Sequence, residues 1–256
     1  MSKSIRDAFT NGKAFIPFIT CGDPSLDITE KLVYAMEGAG ATLIELGIPF
    51  SDPTAEGPVI MAADERALSA GTTTDKVFDL VVKIRKNTDI PLVFMTYANV
   101  VFSYGIEKFA AKTKEVGVQG LILPDVPYEE KDEFDEVLSK YGIELISMIA
   151  PTSNERIKMI ASEAKGFLYC VSSLGVTGVR STINTDIGGM IKLAKEVSDI
   201  PCAVGFGISN PETAKKMTEF SDGAIVGSAI VKIIAEYGEN CVEPVTKFVK
   251  SITDAI

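Results

Sequence analysis

The sequence of 256 residues predicts a (β/α)8 barrel, the TIM-barrel class of α/β fold. Eight short runs rich in Val, Ile and Leu recur along the chain, and each is followed by a segment with the periodicity of an amphipathic helix. Near-continuous apolar strands that alternate with helices indicate a parallel sheet covered by helices, and eight such units favour closure. Hydrophobic residues make up 46% of the chain, so we expect one core and a single domain over residues 1–256.

The element boundaries follow from these runs. The helical segments between the runs, such as DITEKLVYAMEGAGA and NERIKMIASEAKG, mostly end in glycine, the preferred residue at a helix C-cap. An open doubly wound sheet is the competing architecture, but no GxGxxG follows the first strand and the phosphate-like glycines come only after the seventh and eighth. The predicted strands are residues 14–20, 42–48, 91–97, 118–125, 143–150, 166–172, 201–207 and 223–228.

Two connections are longer than the others. Strand starts are about 22 to 27 residues apart, except after strands 2 and 6, where the spacing widens to about 49 and 35 residues. Connections from strand to helix lie on the C-terminal rim of a barrel, where active sites are built. The enlarged loops after strands 2 and 6 therefore mark the functional face and predict a mobile covering.

Charge and composition exclude several functions. The formal net charge is −10 and the pI is near 4.7, so we expect no binding to nucleic acid or to an anionic membrane, and an anionic substrate would need a local site. The start, MSKSIRDAFTNGKAF, has charges where a secretory peptide has an apolar run, and no stretch of 18 apolar residues follows. We expect a soluble, cytoplasmic protein.

The chain contains no histidine, which removes Ser-His and Cys-His nucleophile pairs and histidine-held zinc. Its four cysteines are widely spaced and suggest neither a zinc site nor a disulfide framework, so we expect reduced thiols and no metal site. Any proton transfer must then fall to carboxylates, tyrosines or lysines.

Glu45 lies inside the second predicted strand, in the run TLIELGI. An ionised carboxylate in mid-strand has no route to water except at the rim, and burying an unpaired charge costs several kcal/mol. One interpretation is that Glu45 pairs with a polar neighbour and only shapes the core. The other is a carboxyl whose pKa is raised by desolvation, so that it can give and take a proton.

Glu56 lies in the loop SDPTAEGP after the second strand, where prolines restrict the chain. A loop glutamate is commonly a solvated charge. However, a loop that leaves the C-terminal end of strand 2 can fold back over the rim and bring its carboxylate toward Glu45. Two carboxyl groups could then have separate catalytic roles.

Glycine-bearing turns follow the last three strands: LGVTG, GFGIS and VGSAI. Each could be an ordinary tight turn. Loops after strands 7 and 8 of a barrel, with the N-terminus of a short extra helix, commonly supply backbone N–H groups to a phosphate, and GSAIVKIIAEYG is typical of such a helix. Gly207, Gly227 and Ser228 are therefore the predicted donors.

Phe18, Tyr97 and Tyr169 lie near the C-terminal ends of strands and either belong to the core or line a flat apolar slot between the carboxylates and the phosphate site. Asp125, at the end of strand 4, is a third acidic candidate with a structural or a catalytic role. No lysine falls inside the predicted strands, where the Schiff-base lysine of a barrel aldolase would project. Cleavage through a covalent imine is not expected, and cleavage by proton transfer alone stays open.

The order of motifs resembles one known family over nearly the whole chain. The motifs are FIPFITCGDPS, ELGIPFSDPTAEGPVI, FMTYANVVFSYG, LILPDVPYEE, IAPTS, GFLYCVSSLGVTGVR, VGFGIS and VGSAIV. ELGIPFSDP and GVTG together are highly specific. The sequence closely resembles the tryptophan synthase alpha subunit family, a (β/α)8 barrel with an extra N-terminal helix, which SIRDAFTNG would supply.

The resemblance implies cleavage of indole-3-glycerol phosphate into indole and glyceraldehyde 3-phosphate, a retro-aldol reaction of tryptophan biosynthesis without metal or organic cofactor. Glu45 matches the family's main acid/base glutamate, and Glu56 stands where the family usually has an aspartate held against the indole N–H. The extra methylene of Glu56 changes its reach, and a misplacement of about 1 Å can cost considerable rate.

The resemblance also assigns binding roles. Thr177 matches a threonine that contacts the carboxylate of the loop after strand 2 when the site closes. The remaining matches are Gly178, Gly207, Gly227 and Ser228 at the phosphate-binding positions, and Phe18, Tyr97 and Tyr169 in the indole pocket.

The family works as an α2β2 complex in which a beta subunit, the carrier of pyridoxal phosphate, receives indole through an internal tunnel. The resemblance places Pro49, Asp52, Pro53 and Asn99 near that partner. Two alternatives stay open: a self-sufficient lyase that produces indole without a beta subunit, and a catalytically weakened chain that mainly activates its partner.

Overall fold

The computed structural model describes residues 3–171, 186–205 and 207–256. Within these ranges the strand segments are all parallel to their neighbours, in the order β5-β4-β3-β2-β1-β9-β8-β7-β6. Their bounds are β1 Ala14–Thr20, β2 Ile44–Gly47, β3 Leu92–Met95, β4 Gly120–Ile122, β5 Glu144–Leu145, β6 Met148–Ile149, β7 Leu168–Val171, β8 Cys202–Gly205 and β9 Gly223–Val226.

The sheet closes on itself through β5 and β6. The N–H of Ile146 donates to the carbonyl of Leu121 at 2.9 Å, while the carbonyl of Ser147 accepts from the N–H of Tyr169 at 3.0 Å. Between Ile146 and Ser147 the chain therefore changes its hydrogen-bond partner from β4 to β7. This change joins the two ends of the strand order and closes the ring. The predicted barrel of eight strands is confirmed, except that the fifth strand, predicted as one run over 143–150, is two short pieces.

Helices cover the outside of this ring. Leu32, Phe94 and Ile191 belong to the core between strands and helices, whereas Ile16, Val93 and Ile225 fill the interior of the ring. The α-helices of the described ranges are α1 Leu26–Gly38, α2 Pro58–Ser69, α3 Thr74–Ile84, α4 Ala98–Tyr104, α5 Ile106–Val116, α6 Asp132–Lys140, α7 Asn154–Glu163, α8 Ile187–Lys195, α9 Pro211–Thr218, α10 Ser228–Tyr237 and α11 Val242–Thr253.

The long connection after β2 contains a helix of its own. Residues 48–57 form the loop, α2 follows, and α3 then occupies the place of the ordinary barrel helix. Pro58 stands at the first position of α2. Its missing N–H costs nothing there, because an N–H at this position would have no partner within the helix. The second enlarged connection, residues 172–185, lies outside the described residues.

The N-terminal segment closes the amino end of the barrel. Ile5–Phe9 forms a short 3-10 helix rather than the predicted longer helix, and it begins with a capping box between Ser4 and Asp7. Ile5 is buried and the Phe9 ring lies 5.8 Å from that of Phe167, just before β7. Substrate access is thus left to the opposite, C-terminal rim.

The structure also bears on the cysteines and on membrane-spanning helices. All four cysteines are buried and free. Among the helices of the described ranges, none has the length and apolar character needed to cross a membrane.

Candidate active site

Glu45 lies in the interior of the barrel, and the register of the strands places it there. It pairs with Phe18 on β1 and with Val93 on β3, and both partners belong to the interior core. Parallel strands in register direct paired residues to the same face, so the carboxyl of Glu45 points inward as well. Its neighbours Ile44 and Leu46 point outward, to the core under the helices.

The carboxyl of Glu45 is fully buried, and its pKa is raised. It is 0% exposed, and neither carboxyl oxygen has a hydrogen-bond partner in the described part of the chain. Burial raises its pKa to about 8, because a desolvated carboxylate without a counter-charge is unfavourable. The carboxyl of Glu45 can therefore hold or release a proton near neutral pH.

Two of the predicted slot residues lie beside Glu45. Phe18 is its partner in register, and its ring occupies space that a side chain at Gly47 would need: a Cβ there would lie 2.7 Å from Cζ. Tyr169 is buried, and burial together with the charge of Glu45 raises the pKa of its phenol well above the ordinary value. The interior therefore holds one carboxyl between two aromatic rings.

Glu56 is brought over the rim by the loop after β2, as the loop prediction requires. It is 8% exposed. Burial raises its pKa, and the influence of Asp64 and then of Tyr97 partly opposes the rise. The phenol oxygen of Tyr97 also accepts the N–H of Ala55 at 3.1 Å, so Tyr97 holds the loop as well as facing the site.

Asp64 on α2 was not predicted as a site residue. It is 5% exposed, and burial, followed by the charge of Glu56, raises its pKa to about 9. The sequence contains a signal for it: the buried residues of α2 are Ile60, Ala63, Asp64 and Ala67, so the aspartate lies in the apolar stripe of an amphipathic helix. A charged residue in such a stripe needs a partner.

Asp125 has a structural role. Both oxygens of its carboxylate accept the N–H of Ala98 at 3.1 Å, at the first residue of α4. Tyr97, the N-cap residue of that helix, gives no side-chain cap. Asp125 therefore supplies the cap and a favourable charge at the positive end of the helix dipole.

The predicted phosphate residues lie at the C-terminal ends of β8 and β9. Gly207 follows β8 with φ of +76°, a conformation that favours glycine. Gly227 is the N-cap residue of α10 and gives no side-chain cap to the first N–H groups of this ten-residue helix, which begins at Ser228. Thr177 and Gly178 lie outside the described residues.

Glycines at these strand ends also make room for the rings. A Cβ at Gly205, the last residue of β8, would lie 2.4 Å from Oη of Tyr169, and a Cβ at Gly227 would lie 3.3 Å from Phe18. The aromatic pair, Glu45 and the uncapped helix end are therefore close neighbours around one end of the barrel.

Comparison with known proteins decides the family. The family model described as tryptophan synthase alpha chain matches residues 6–256. The chain belongs to the tryptophan synthase alpha chain family. Its relatives include the alpha chain of Thermoanaerobacter sp. (strain X514), 50% identical over 95% of this chain and 94% of that protein, and the alpha chain of Lacticaseibacillus casei, 46% identical over 100% and 96%.

Solved structures of the family agree with the fold. The alpha subunit of Legionella pneumophila str. Paris superposes with a TM-score of 0.90 at 37% identity, covering 100% of this chain and 98% of that one. A chain from the tryptophan synthase α2β2 complex of Pyrococcus furiosus gives a TM-score of 0.87 at 35% identity, covering 99% and 100%. As a member of this family, the chain is a lyase that cleaves indole-3-glycerol phosphate.

The residues predicted to face a beta subunit differ in exposure. Asp52 and Asn99 are exposed, Pro53 is half-buried and Pro49 is buried. Asp52 and Pro53 lie in the loop after β2, and Asn99 lies at the start of α4. All of these residues follow the C-terminal ends of β2 and β3, on the same rim as Glu56.

Proposed function

We propose that Glu45 is the general acid and base of indole-3-glycerol phosphate cleavage. The observation that carries this proposal is a carboxyl fully buried in the barrel interior, with neither oxygen hydrogen-bonded in the described ranges. Protonated Glu45 donates to the ring carbon that bears the glycerol side chain, and the protonated ring becomes an electron sink. The resulting carboxylate then accepts the proton of the adjacent hydroxyl.

The bonds that form and break after this proton transfer need no cofactor. As the hydroxyl proton leaves, its electron pair forms the aldehyde C=O. The bond between the ring carbon and the side chain breaks, and its electrons return to the ring. Indole and glyceraldehyde 3-phosphate are released and Glu45 is protonated again. A raised pKa suits both halves of this cycle because the group changes protonation state near neutral pH.

Glu56 is the second carboxyl in this proposal. Its carboxylate accepts the indole N–H and stabilises the positive charge that develops when the ring is protonated. The buried position of Glu56 supports this role, since a charge is worth more in a desolvated site. Thr177 would contact the same loop when the site closes.

Substrate binding is assigned to the rim and the aromatic slot. Phe18, Tyr97 and Tyr169 would line the indole pocket. The phosphate would bind the backbone N–H groups at Gly178, Gly207, Gly227 and Ser228. The uncapped N-terminus of α10 supports this assignment, because free N–H groups and the helix dipole both favour an anion.

We propose further that the chain functions in the cytoplasm as the alpha subunit of an α2β2 complex, with no cofactor of its own. Pyridoxal phosphate would reside on the beta subunit. The solved Pyrococcus furiosus assembly is such an α2β2 complex. Pro49, Asp52, Pro53 and Asn99 would then lie at or near the interface.

Replacement of Glu45 tests the proposal. Glu45→Gln should lower kcat for indole release at least about 100-fold with little change in KM, because the amide keeps the shape of the site but cannot transfer the proton. Glu144→Gln, at the amino end of β5, is the matched control and should retain wild-type kcat. Indole is measured with and without a beta subunit.

The same assay separates the alternatives. High indole output from the isolated chain would support a self-sufficient lyase. Stimulation of the beta subunit by a chain that releases no indole would support a weakened, activating partner. A Glu45→Gln variant with wild-type kcat would reject Glu45 as the acid and base.

A further inference from the structure

We propose that Tyr97 is a positioning residue for Glu56: its hydroxyl accepts the N–H of Ala55 and so holds the loop after β2 over the rim in the chain on its own, before a beta subunit binds. This inference rests on the proposed function and gives Tyr97 a role besides its place in the indole pocket. The geometry behind it is a set of contacts between the end of β3 and both ends of that loop.

The first residue of the loop is fixed against the end of β3. The N–H of Ile48 donates to the carbonyl of Met95 at 2.9 Å, and the carbonyl of Ile48 accepts the hydroxyl of Thr96 at 3.3 Å. Ile48 and Thr96 are both buried, so water does not compete for these hydrogen bonds. The chain therefore enters the loop along a fixed path, and Pro49 restricts the next residue further.

Tyr97, the residue after Thr96, contacts both ends of the rest of the loop. Its ring centroid lies 5.4 Å from that of Phe50, and its phenol oxygen accepts the N–H of Ala55 at 3.1 Å. Residues 51–54, between these two contacts, are for the most part exposed, whereas Tyr97 is 2% exposed. One buried side chain thus joins the two ends of the loop, and the tip of the loop projects into solvent.

The backbone of Tyr97 is itself fixed. Tyr97 is the N-cap residue of α4, and its carbonyl accepts the N–H of Val100 at 3.0 Å. The next N–H along the chain, that of Ala98, donates to the carboxylate of Asp125. Because β3 precedes Tyr97 and a capped helix follows it, the phenol contacts the loop from a defined position.

Glu56 lies between two fixed points of the backbone. Ala55 precedes it, and Gly57 follows it as the N-cap residue of α2, with its carbonyl accepting the N–H of Met61 at 3.1 Å. A rotation of the backbone at Ala55 would move the carboxyl of Glu56, and a displacement of about 1 Å is enough to cost considerable rate. The influence of Tyr97 also lowers the pKa of Glu56 against the effect of burial, which favours the ionised form.

Hydrogen exchange of the isolated chain tests the contact. In wild type the amide proton of Ala55 should already be protected without a beta subunit. Tyr97→Phe removes the phenol oxygen and keeps the ring, so this proton should exchange at least about tenfold faster, while that of Ile48 should not change. Tyr104→Phe is the matched control, since it removes a tyrosine hydroxyl that donates to Asp75 at 2.6 Å. An unprotected Ala55 in wild type, or equal exchange in wild type and Tyr97→Phe, would overturn the inference.

Indole release tests the role in catalysis. Tyr97→Phe should lower kcat about fivefold and leave KM within about twofold, because the ring remains in the indole pocket. In a Glu56→Gln background the same substitution should change kcat by less than about twofold, since a residue that acts through Glu56 then has no carboxylate to position. Tyr104→Phe should keep wild-type kcat. Wild-type kcat in Tyr97→Phe, or losses that multiply in the double variant, would contradict the role.

The failure of the proposed function gives a different result. A wild-type chain that releases no indole, either alone or with a beta subunit, would reject the lyase mechanism itself, whereas exchange at Ala55 would still report the contact with Tyr97. An active wild type with an unaffected Tyr97→Phe variant would reject only the positioning role of Tyr97.

Discussion

At the scale of single residues, the site depends on where carboxyl groups lose contact with water. Glu45 is surrounded by the barrel interior, where burial raises its pKa to about 8, whereas Glu56 lies at the rim, where burial also raises its pKa. In the proposed mechanism the two groups have different roles: Glu45, with a pKa near neutrality, transfers a proton, and Glu56, when ionised, stabilises positive charge.

Glu45 should make the stability of the chain depend on pH. Its pKa in the folded chain, about 8, is above the ordinary value of 4.5, so between these values the folded state holds a proton that the unfolded state has lost. Stability is therefore greatest below pH 4.5 with respect to this group, and it falls as pH rises toward 8. Glu45→Gln has no carboxyl proton at this position, so its stability does not fall in this way. Relative to wild type, its free energy of unfolding should therefore increase by on the order of 3 kcal/mol between pH 5 and pH 8.

Urea unfolding of wild type and Glu45→Gln at several pH values measures this difference. The comparison of the two proteins cancels the contributions of other buried carboxyls, such as Asp64, because these groups are present in both. Parallel pH dependences in the two proteins would mean that Glu45 titrates normally.

The sequence predicted Glu45 because a lone glutamate among strand residues is conspicuous. It did not predict Asp64, because an aspartate in an amphipathic helix usually lies on the solvent face and its burial depends on how α2 packs. Contacts between the loop after β2 and α2 are tertiary, so periodicity alone could not pair Glu56 with Asp64.

At the scale of elements, α2 is fixed to the barrel by one ion pair. Nε and Nη2 of Arg66 donate to the two carboxylate oxygens of Asp23, each at 2.8 Å. Asp23 is 1% exposed and lies just after β1. A bidentate pair fixes direction as well as distance, so this contact sets the orientation of the helix that carries Asp64.

Arg66→Lys should weaken both the fold and the site. Lysine keeps the charge but cannot make the two parallel hydrogen bonds, so we expect a loss of about 1 to 2 kcal/mol in the free energy of unfolding, together with a lower kcat. Denaturant midpoints and indole release measure the two effects.

The matched control removes an exposed ion pair. Lys247 and Glu243 lie one turn apart on α11, and both are exposed. Lys247→Ala should leave the denaturant midpoint and kcat unchanged, because surface pairs contribute little. An Arg66→Lys variant that behaves like this control would show that α2 is held by its apolar contacts alone.

At the scale of the whole molecule, the apolar runs were sufficient to predict a closed barrel. Parallel strands buried on both faces leave a strong pattern, and the predicted runs contain β1 to β4 and β7 to β9. The division of the fifth strand at Ile146 and Ser147 has no such signal, because it reflects a change of hydrogen-bond partner within an uninterrupted apolar run.

The proposed assembly makes a prediction about the rim. Asp52 is exposed on the loop after β2, so Asp52→Lys should weaken binding to a beta subunit by reversing a charge at the interface while leaving indole release by the isolated chain within about twofold. Glu239→Lys, after α10, is the control for net charge and should bind as wild type. Calorimetric titration with a beta subunit measures this, and equal affinities for both variants would place the interface elsewhere.

The most direct test of the central claim is the titration of Glu45 itself. NMR of the chain labelled with ¹³C at the glutamate carboxyls follows each group with pH, and the signal missing from Glu45→Gln identifies the residue. We expect a midpoint at about 8 for Glu45 in the folded chain. A midpoint near the ordinary 4.5 would contradict it, because an ionised carboxylate has no proton to give to the indole ring at neutral pH.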